Sequence, residues 1–205
     1  NSPITEADIK SNNLILNRLK SFSPNVTILS EESLIEWKER KTWNSYWLID
    51  PLDGTKEFIK KNGEFTVNIA LIKNNSPIFG IIYAPAKSLL YYALKNNGAY
   101  KLITESNIET TKDFIKINSV KDKSNLTKVI GSRSHSNKDF DNWINDNCNN
   151  FELIQIGSSL KFCYLAESKA NIYPRLGPTS EWDIAAGHII LSLIHISEPT
   201  RRLNI

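Results

Sequence analysis

Apolar residues recur at helical spacing through Ile9, Leu14, Ile15 and Leu19, which predicts a helix over 8–19. Ser23-Pro24-Asn25 breaks it. The run from Val26 to Ser30 predicts a short buried strand leading into Glu31-Glu32. A second apolar run, SYWLID at 45–50, predicts another strand, ended at Asp50-Pro51 because proline disfavours a continuing ladder. Asp53-Gly54-Thr55 then reads as a turn opening a short helix, which Asn62-Gly63 closes. Segments 65–72, 78–83 and 89–94 are strand-like, and Asn96-Asn97-Gly98 is a hairpin signal, so this block predicts an antiparallel meander. Beyond the polar stretch 104–113 strands alternate with helices. Strands are expected at 129–130, 151–156 and 170–173, and helices at 137–147, 160–167 and 183–191, the second capped by Gly157-Ser158-Ser159. A soft boundary at 105–125 divides an N-terminal α+β part, 1–110, from a C-terminal α/β part, 111–191.

Composition narrows the class. A chain of 205 residues can bury a core without disulfide staples. Hydrophobic content of 40% and charged content of 23% exclude a disordered chain, a collagen repeat and a coiled coil. The net charge is +3 with both signs interleaved, which argues against a binder of nucleic-acid polymers and suits a small anionic substrate. Cys148 and Cys163 lack metal-ligand spacing and read as small buried hydrophobes in a reducing cytosol. The apolar run 184–196 is too short for a membrane span and carries His188 and His195, so a buried helix is expected, with no transmembrane segment and no leader. The chain contains no methionine, which reads as a processed chain or a fragment.

The chemistry concentrates in acids. Asp50 ends a buried strand and Asp53 follows three residues later in a tight turn. Carboxylates held this close repel one another unless a cation lies between them or one is protonated. The backbone N–H groups of Gly54 and Thr55, opening a helix, could meet a phosphate oxygen. A solvated turn before a capped helix would show the same Asp-x-x-Asp-Gly pattern. Glu31 also follows a strand, and parallel strands deliver their C-terminal ends to one edge. Asp183 opens one helix and Asp8 another, where each could equally serve as a cap. An all-oxygen ligand set suits Mg²⁺.

DPLDGTKEF at 50–58, SEE at 30–32, SPITEAD at 2–8 and WDIAAGH at 182–188 together resemble the inositol monophosphatase-type, lithium-sensitive, metal-dependent phosphatases. Within that group, NGEFTVNIALI at 62–72, GSRSH at 131–135, GSSLKFC at 157–163 and YPRLGPTSEWD at 173–183 resemble the bisphosphate nucleotidase branch. The resemblance implies a layered αβαβα sandwich. It implies hydrolysis of the 3′-phosphate of 3′-phosphoadenosine 5′-phosphate to AMP and phosphate, as in sulfate assimilation. Glu31, Asp50 and the Leu52 carbonyl would hold one Mg²⁺, and Asp50, Asp53 and Asp183 a second. Asp8 and Thr55 would orient and deprotonate the attacking water, with a third ion in some relatives. Glu31, Leu52, Asp53 and Asp183, with Gly54 and Thr55, would also meet the substrate. On the nucleotide side the expected contacts are Ser132, His135, Gly157, Ser158, Lys161 and Arg175. Arg133 is an alternative phosphate partner in its loop, Arg175 could equally pair structurally, and Glu32, Lys56 and Glu57 read as supporting residues.

The chain departs from that pattern at both ends. A long helix expected before SPITEAD is absent, and SLIHISEPTRRLNI at 192–205 reads as translated adapter sequence, expected to be non-native. The same fold could instead act on inositol phosphate or fructose bisphosphate, or the chain could be an inactive nucleotide-binding fragment. A cytoplasmic location is expected, with the inner face of the cell membrane as the alternative known for some relatives.

Overall fold

The computed structural model describes residues 3–104, 114–118, 125–133 and 138–194. Helix α1 (Glu6–Phe22) precedes β1 (Thr27–Ser30), the short α2 (Trp37–Arg40), β2 (Ser45–Asp53) and α3 (Thr55–Ile59). The meander follows as β3 (Thr66–Lys73), β4 (Ser76–Ala84), β5 (Leu89–Leu94), β6 (Gly98–Ile103) and β7 (Ile115–Lys116). The remainder is β8 (Thr127–Ser132), α4 (Lys138–Asn147), β9 (Phe151–Ile156), α5 (Leu160–Ala166) and α6 (Glu181–Ser192).

One seven-stranded sheet runs in the order β1 to β7, with β1 parallel to β2 and the other neighbours antiparallel. Strands β8 and β9 form a separate parallel pair. Alternation along β2 sends its side chains to two faces. Leu48 joins the main core with Ile82, Tyr91, Ile189 and Ile190, against α6. Trp47 points the other way, where its Nε1 donates to Ser23 Oγ at the end of α1 at 2.7 Å. The second sheet is used in the same manner. Ile130 packs with Leu165 of α5 and Leu191 of α6, while Val129 packs with Ile144 of α4. The layers therefore run α1, large sheet, α5 with α6, small sheet, α4, which is the expected sandwich.

Several elements differ from their expectation. β2 does not stop at Asp50; it continues to Asp53, which pairs with Thr66 across a bulge at Pro51-Leu52. A bulge frees proline from the need to donate to the ladder. The strand expected at 170–173 reduces to one bridge, Val129 to Ile172, because its backbone bonds to β8 run only through Asn171 and Ile172. β6 follows the Asn-Asn-Gly turn as its natural return strand. Ile115 and Lys116, from the C-terminal part, complete the edge of the N-terminal sheet. Ile194 is buried against the main core just beyond α6. The rest of the tail expected to be non-native, 195–205, lies outside the described residues. Cys148 and Cys163 are buried thiols. No helix among the described residues is long and apolar enough to cross a membrane.

Helix α6 lies close on the sheet. A Cβ at Gly80 of β4 would stand 2.6 Å from Ile189 Cγ2 and 2.9 Å from Ala186 Cα. Gly80→Ala is therefore expected to cost about 1–3 kcal/mol through overpacking against helix backbone. Urea unfolding checks this, and an unchanged midpoint would contradict the close approach. At the far end of α5, Glu167 accepts from Lys101 Nζ at 2.7 Å, from Lys169 Nζ at 3.1 Å and from the Tyr91 hydroxyl. Burial works to raise its pKa, but the bonds from Lys101, Tyr91 and Lys169 prevail and hold it below the ordinary 4.5. A depressed folded-state pKa contributes stability at pH above the unfolded value, and that contribution is lost as pH falls through the folded one. Stability should thus fall more steeply below pH 4.5 in the parent than in Glu167→Gln. Urea midpoints from pH 7 downward test the difference.

Candidate active site

The parallel pairing of β1 with β2 puts Ser30 opposite Ile49, so Glu31 and Asp50 emerge side by side at the same sheet edge. The Glu31 N–H donates to the Ile49 carbonyl at 3.1 Å, which fixes that register. The bulge then turns the chain so that Asp53, still on β2, reaches the same edge. Gly54 makes the turn into α3 with φ +90°, a left-handed conformation that any Cβ would strain. It also faces the Glu64 carbonyl oxygen, 3.1 Å from where its Cβ would lie. Asp183 arrives from α6, which the core holds against β3 and β4.

Asp183 and Asp8 share a device. Neither is the N-cap residue that the sequence suggests; each is the third residue of its helix, closing a capping box with Ser180 or Thr5. Asp183 Oδ2 accepts from the Ser180 N–H at 3.0 Å and from Thr179 Oγ1 at 2.9 Å. Asp8 Oδ2 accepts from the Thr5 N–H at 2.7 Å and from its hydroxyl, while Oδ1 accepts from Thr55 Oγ1 at 3.3 Å.

Glu31, Asp50, Leu52, Asp53 and Asp183 line one cavity of about 400 Å³, with Gly54 and Thr55 on its floor. Ser132, Gly157, Ser158, Lys161 and Arg175 line it too, as do Lys56 and Glu57. Asp8 does not border the cavity and reaches it through Thr55. His135 lies outside the described residues. Two residues on the nucleotide side have partners within the chain. Arg133 forms a two-pronged ion pair with Glu64, at 2.7 and 2.9 Å, so its guanidinium is already committed. The Gly157 N–H donates to Glu64 Oε2 at 2.9 Å. Glu64 therefore fastens β8 and the turn before α5 to the loop after α3.

The electrostatics are those of gathered like charges. Asp50 is 1% exposed, and its pKa is raised well above the ordinary range by burial, then by Asp53, Glu31 and Asp183. Burial, with Asp183 next, pushes Glu31 up to about 7. Asp53 is also raised, burial outweighing the nearby Lys161 ammonium. Burial in turn lowers the Lys161 pKa. Its Nζ stands 5.7 Å from the centre of the Tyr173 ring, which lines the same cavity. As placed, no three acid, imidazole or thiol side chains among the described residues form a closed ligand cluster. Glu31, Asp50 and Asp53 border the space from the sheet edge and Asp183 from α6, with Asp53 held by Ser159 and Asp183 by its capping box. Oxygen-only donors around a buried, mutually repelling set fit a hard divalent cation, whose charge would offset the burial and repulsion.

Similarity to known proteins decides the family. The model of the inositol monophosphatase family matches residues 1–192. The chain belongs to the inositol monophosphatase family. The 3′(2′),5′-bisphosphate nucleotidase CysQ of Salmonella typhimurium is 46% identical over 189 residues, covering 92% of this chain and 72% of that protein. The Buchnera aphidicola protein of the same name is 47% identical over 191 residues, covering 93% and 68%. The crystal structure of CysQ from Bacteroides thetaiotaomicron superposes with a TM-score of 0.84 at 41% identity, covering 95% of this chain and 74% of that one.

The structure brings to the site residues of the quoted motifs to which the sequence reading gives no role there. Ser159, Tyr173, Thr179 and Ser180 also line the cavity, and buried Asn68 stands behind Asp53. Asn68 had a readable signal: it is the polar residue in the otherwise apolar inward positions of β3, after Thr66. Replacing Gly54 by alanine is expected to destabilise the chain by about 1–3 kcal/mol, since a non-glycine must hold its strained φ. A denaturation midpoint equal to the parent's would show that the turn relaxes without cost.

Proposed function

We propose that the chain is a magnesium-dependent 3′(2′),5′-bisphosphate nucleotidase that removes the 3′-phosphate of 3′-phosphoadenosine 5′-phosphate to give AMP and phosphate. The observation that carries the reading is the meeting of Glu31, Asp50, Asp53 and Asp183, from three separate stretches of chain, around one cavity. Its volume of about 400 Å³ suits a mononucleotide. Identity of 45–47% to curated nucleotidases supports this substrate class over inositol phosphate or fructose bisphosphate.

Glu31, Asp50 and the Leu52 carbonyl would hold one Mg²⁺ and Asp50, Asp53 and Asp183 a second. When bound, Mg²⁺ supplies positive charge to the phosphoryl oxygens and makes water more acidic. The chain's own groups do the rest. Thr55 Oγ1 donates to Asp8 Oδ1, so its lone pairs are open to a water in the cavity. A proton leaving that water can pass to Thr55 while the Thr55 proton moves to Asp8, which makes Asp8 the general base although it does not border the cavity. The second oxygen of Asp8 stays tied to Thr5, so the acceptor keeps its orientation. Lys161 and Arg175, the latter also donating to the Pro178 carbonyl at 2.7 Å, bring positive charge to the cavity lining and would meet the phosphate groups of the nucleotide. Gly157 must stay small: a Cβ there would stand 2.7 Å from Glu57 Cγ and 2.9 Å from the Glu64 carbonyl.

The test is phosphate release from 3′-phosphoadenosine 5′-phosphate, with Mg²⁺ and then with excess chelator. Activity should require the metal. Asp53→Asn should lower kcat by roughly a hundredfold or more, because an interaction worth several kcal/mol to the transition state is lost. Its melting temperature without metal should not fall, since the substitution removes one of the repelling charges. Equal rates with and without chelator would end the proposal.

A further inference from the structure

The inward positions of β3 are Thr66, Asn68, Ala70 and Ile72, so an amide sits where the core expects an apolar side chain, at 1% exposure. Asn68 Nδ2 donates to Ser159 Oγ at 2.8 Å. Ser159, also 1% exposed, donates to Asp53 Oδ2 at 2.7 Å. The main-chain carbonyl of Asp183 lies 3.1 Å from the same hydroxyl oxygen. A serine hydroxyl has one proton and two lone pairs. The amide takes a lone pair, so the proton is left for the carboxylate.

The other end of Asn68 shows what the amide is for. Its Oδ1 is buried without a partner, an arrangement that ordinarily disfavours the folded state. Reversing the amide would point that oxygen at Ser159 and add a third acceptor around one proton, at the expense of its bond to Asp53. Ser159 thus ties Asp53 to the start of α5, with the Asp183 main-chain carbonyl the farther of the two acceptors around its proton.

We infer that Asn68 and Ser159 form a buried positioning relay that orients Asp53 and thereby sets the affinity of the site for its divalent cation. The inference rests on the cation site proposed above. Outer partners of metal-binding carboxylates set their orientation, and their loss typically weakens binding about 10–100-fold.

The experiment follows the whole chain by thermal melting across a Mg²⁺ titration, with the Mg²⁺ dependence of phosphate release in parallel. The parent should be stabilised by Mg²⁺ alone. Ser159→Ala and Asn68→Leu should move the Mg²⁺ midpoint upward by about 10–100-fold in both readouts, with kcat recovering as Mg²⁺ saturates. Ser159→Thr, which keeps the hydroxyl, should stay near the parent. Tyr91→Phe, which loosens the distant Glu167 cluster, should lower the melting temperature and leave the Mg²⁺ midpoint in place. If the parent does not respond to Mg²⁺, the cation site falls and the relay with it. If the parent responds and Ser159→Ala superimposes on it, the site stands and the relay is refuted. A midpoint moved as far by Tyr91→Phe would equally refute it, as general loosening. Should Asn68→Leu fail to fold, Ser159→Ala, which loses a single oxygen, decides.

Discussion

Repulsion among Glu31, Asp50, Asp53 and Asp183 is the constraint around which the molecule is arranged. Asp50 is almost wholly buried, and the other three acids all raise its pKa. A chain free to relax would let them separate. Here the separation is blocked at each position by something unrelated to charge: a parallel strand register at Glu31, a bulge at Asp53, and a helix pinned to the sheet at Asp183. The apolar core between the large sheet and α6 therefore supplies the free energy that keeps like charges together. A divalent cation would relieve what the core imposes, which ties metal affinity to packing far from the carboxylates.

The two acids on helix starts extend this arrangement. Asp8 and Asp183 each commit one oxygen to a capping box, so their helices are stabilised by residues to which the proposed function gives a part. A cap position is rigid, because the backbone donors it satisfies do not move independently of the helix. Capping and ligation are then not competing explanations for these residues. The cap is how the side chain is aimed.

Most of the candidate site is legible in the sequence because its residues sit where the chain is punctuated. Glu31 follows a strand, Asp50 and Asp53 bracket a proline, Gly54 opens a turn, and Asp8 and Asp183 start helices. Punctuation is read from local chemistry, and local chemistry survives folding. What escapes such a reading is whatever depends on distant neighbours. Pro51 reads as the end of β2 because the bulge that accommodates it exists only when β3 is alongside. The apolar run at 170–173 reads as a strand, yet its residues serve the core next to β8 through a single bridge. Arg133 reads as a free cation in its own loop, yet its partner Glu64 is far away in sequence.

Glu64 and the glycines around it show how the two sheets are made to share one cavity. Gly54, Gly157 and the Glu64 main chain pass so closely that a Cβ on either glycine would meet the Glu64 carbonyl oxygen within about 3.1 Å. Glu64 then bonds the Gly157 N–H and Arg133, one from the turn before α5 and one from the end of β8. A single residue of the first half thereby fixes the loop carrying Ser158 and Lys161 against the turn carrying Asp53 and Thr55. Lys161 and Arg175 come from α5 and the segment before α6, the acids from the edge of the large sheet and from α6. That both groups face one cavity rests on two lining glycines that leave room for no side chain and on an ion pair that does not border it, so the shape of the pocket is set partly outside its walls.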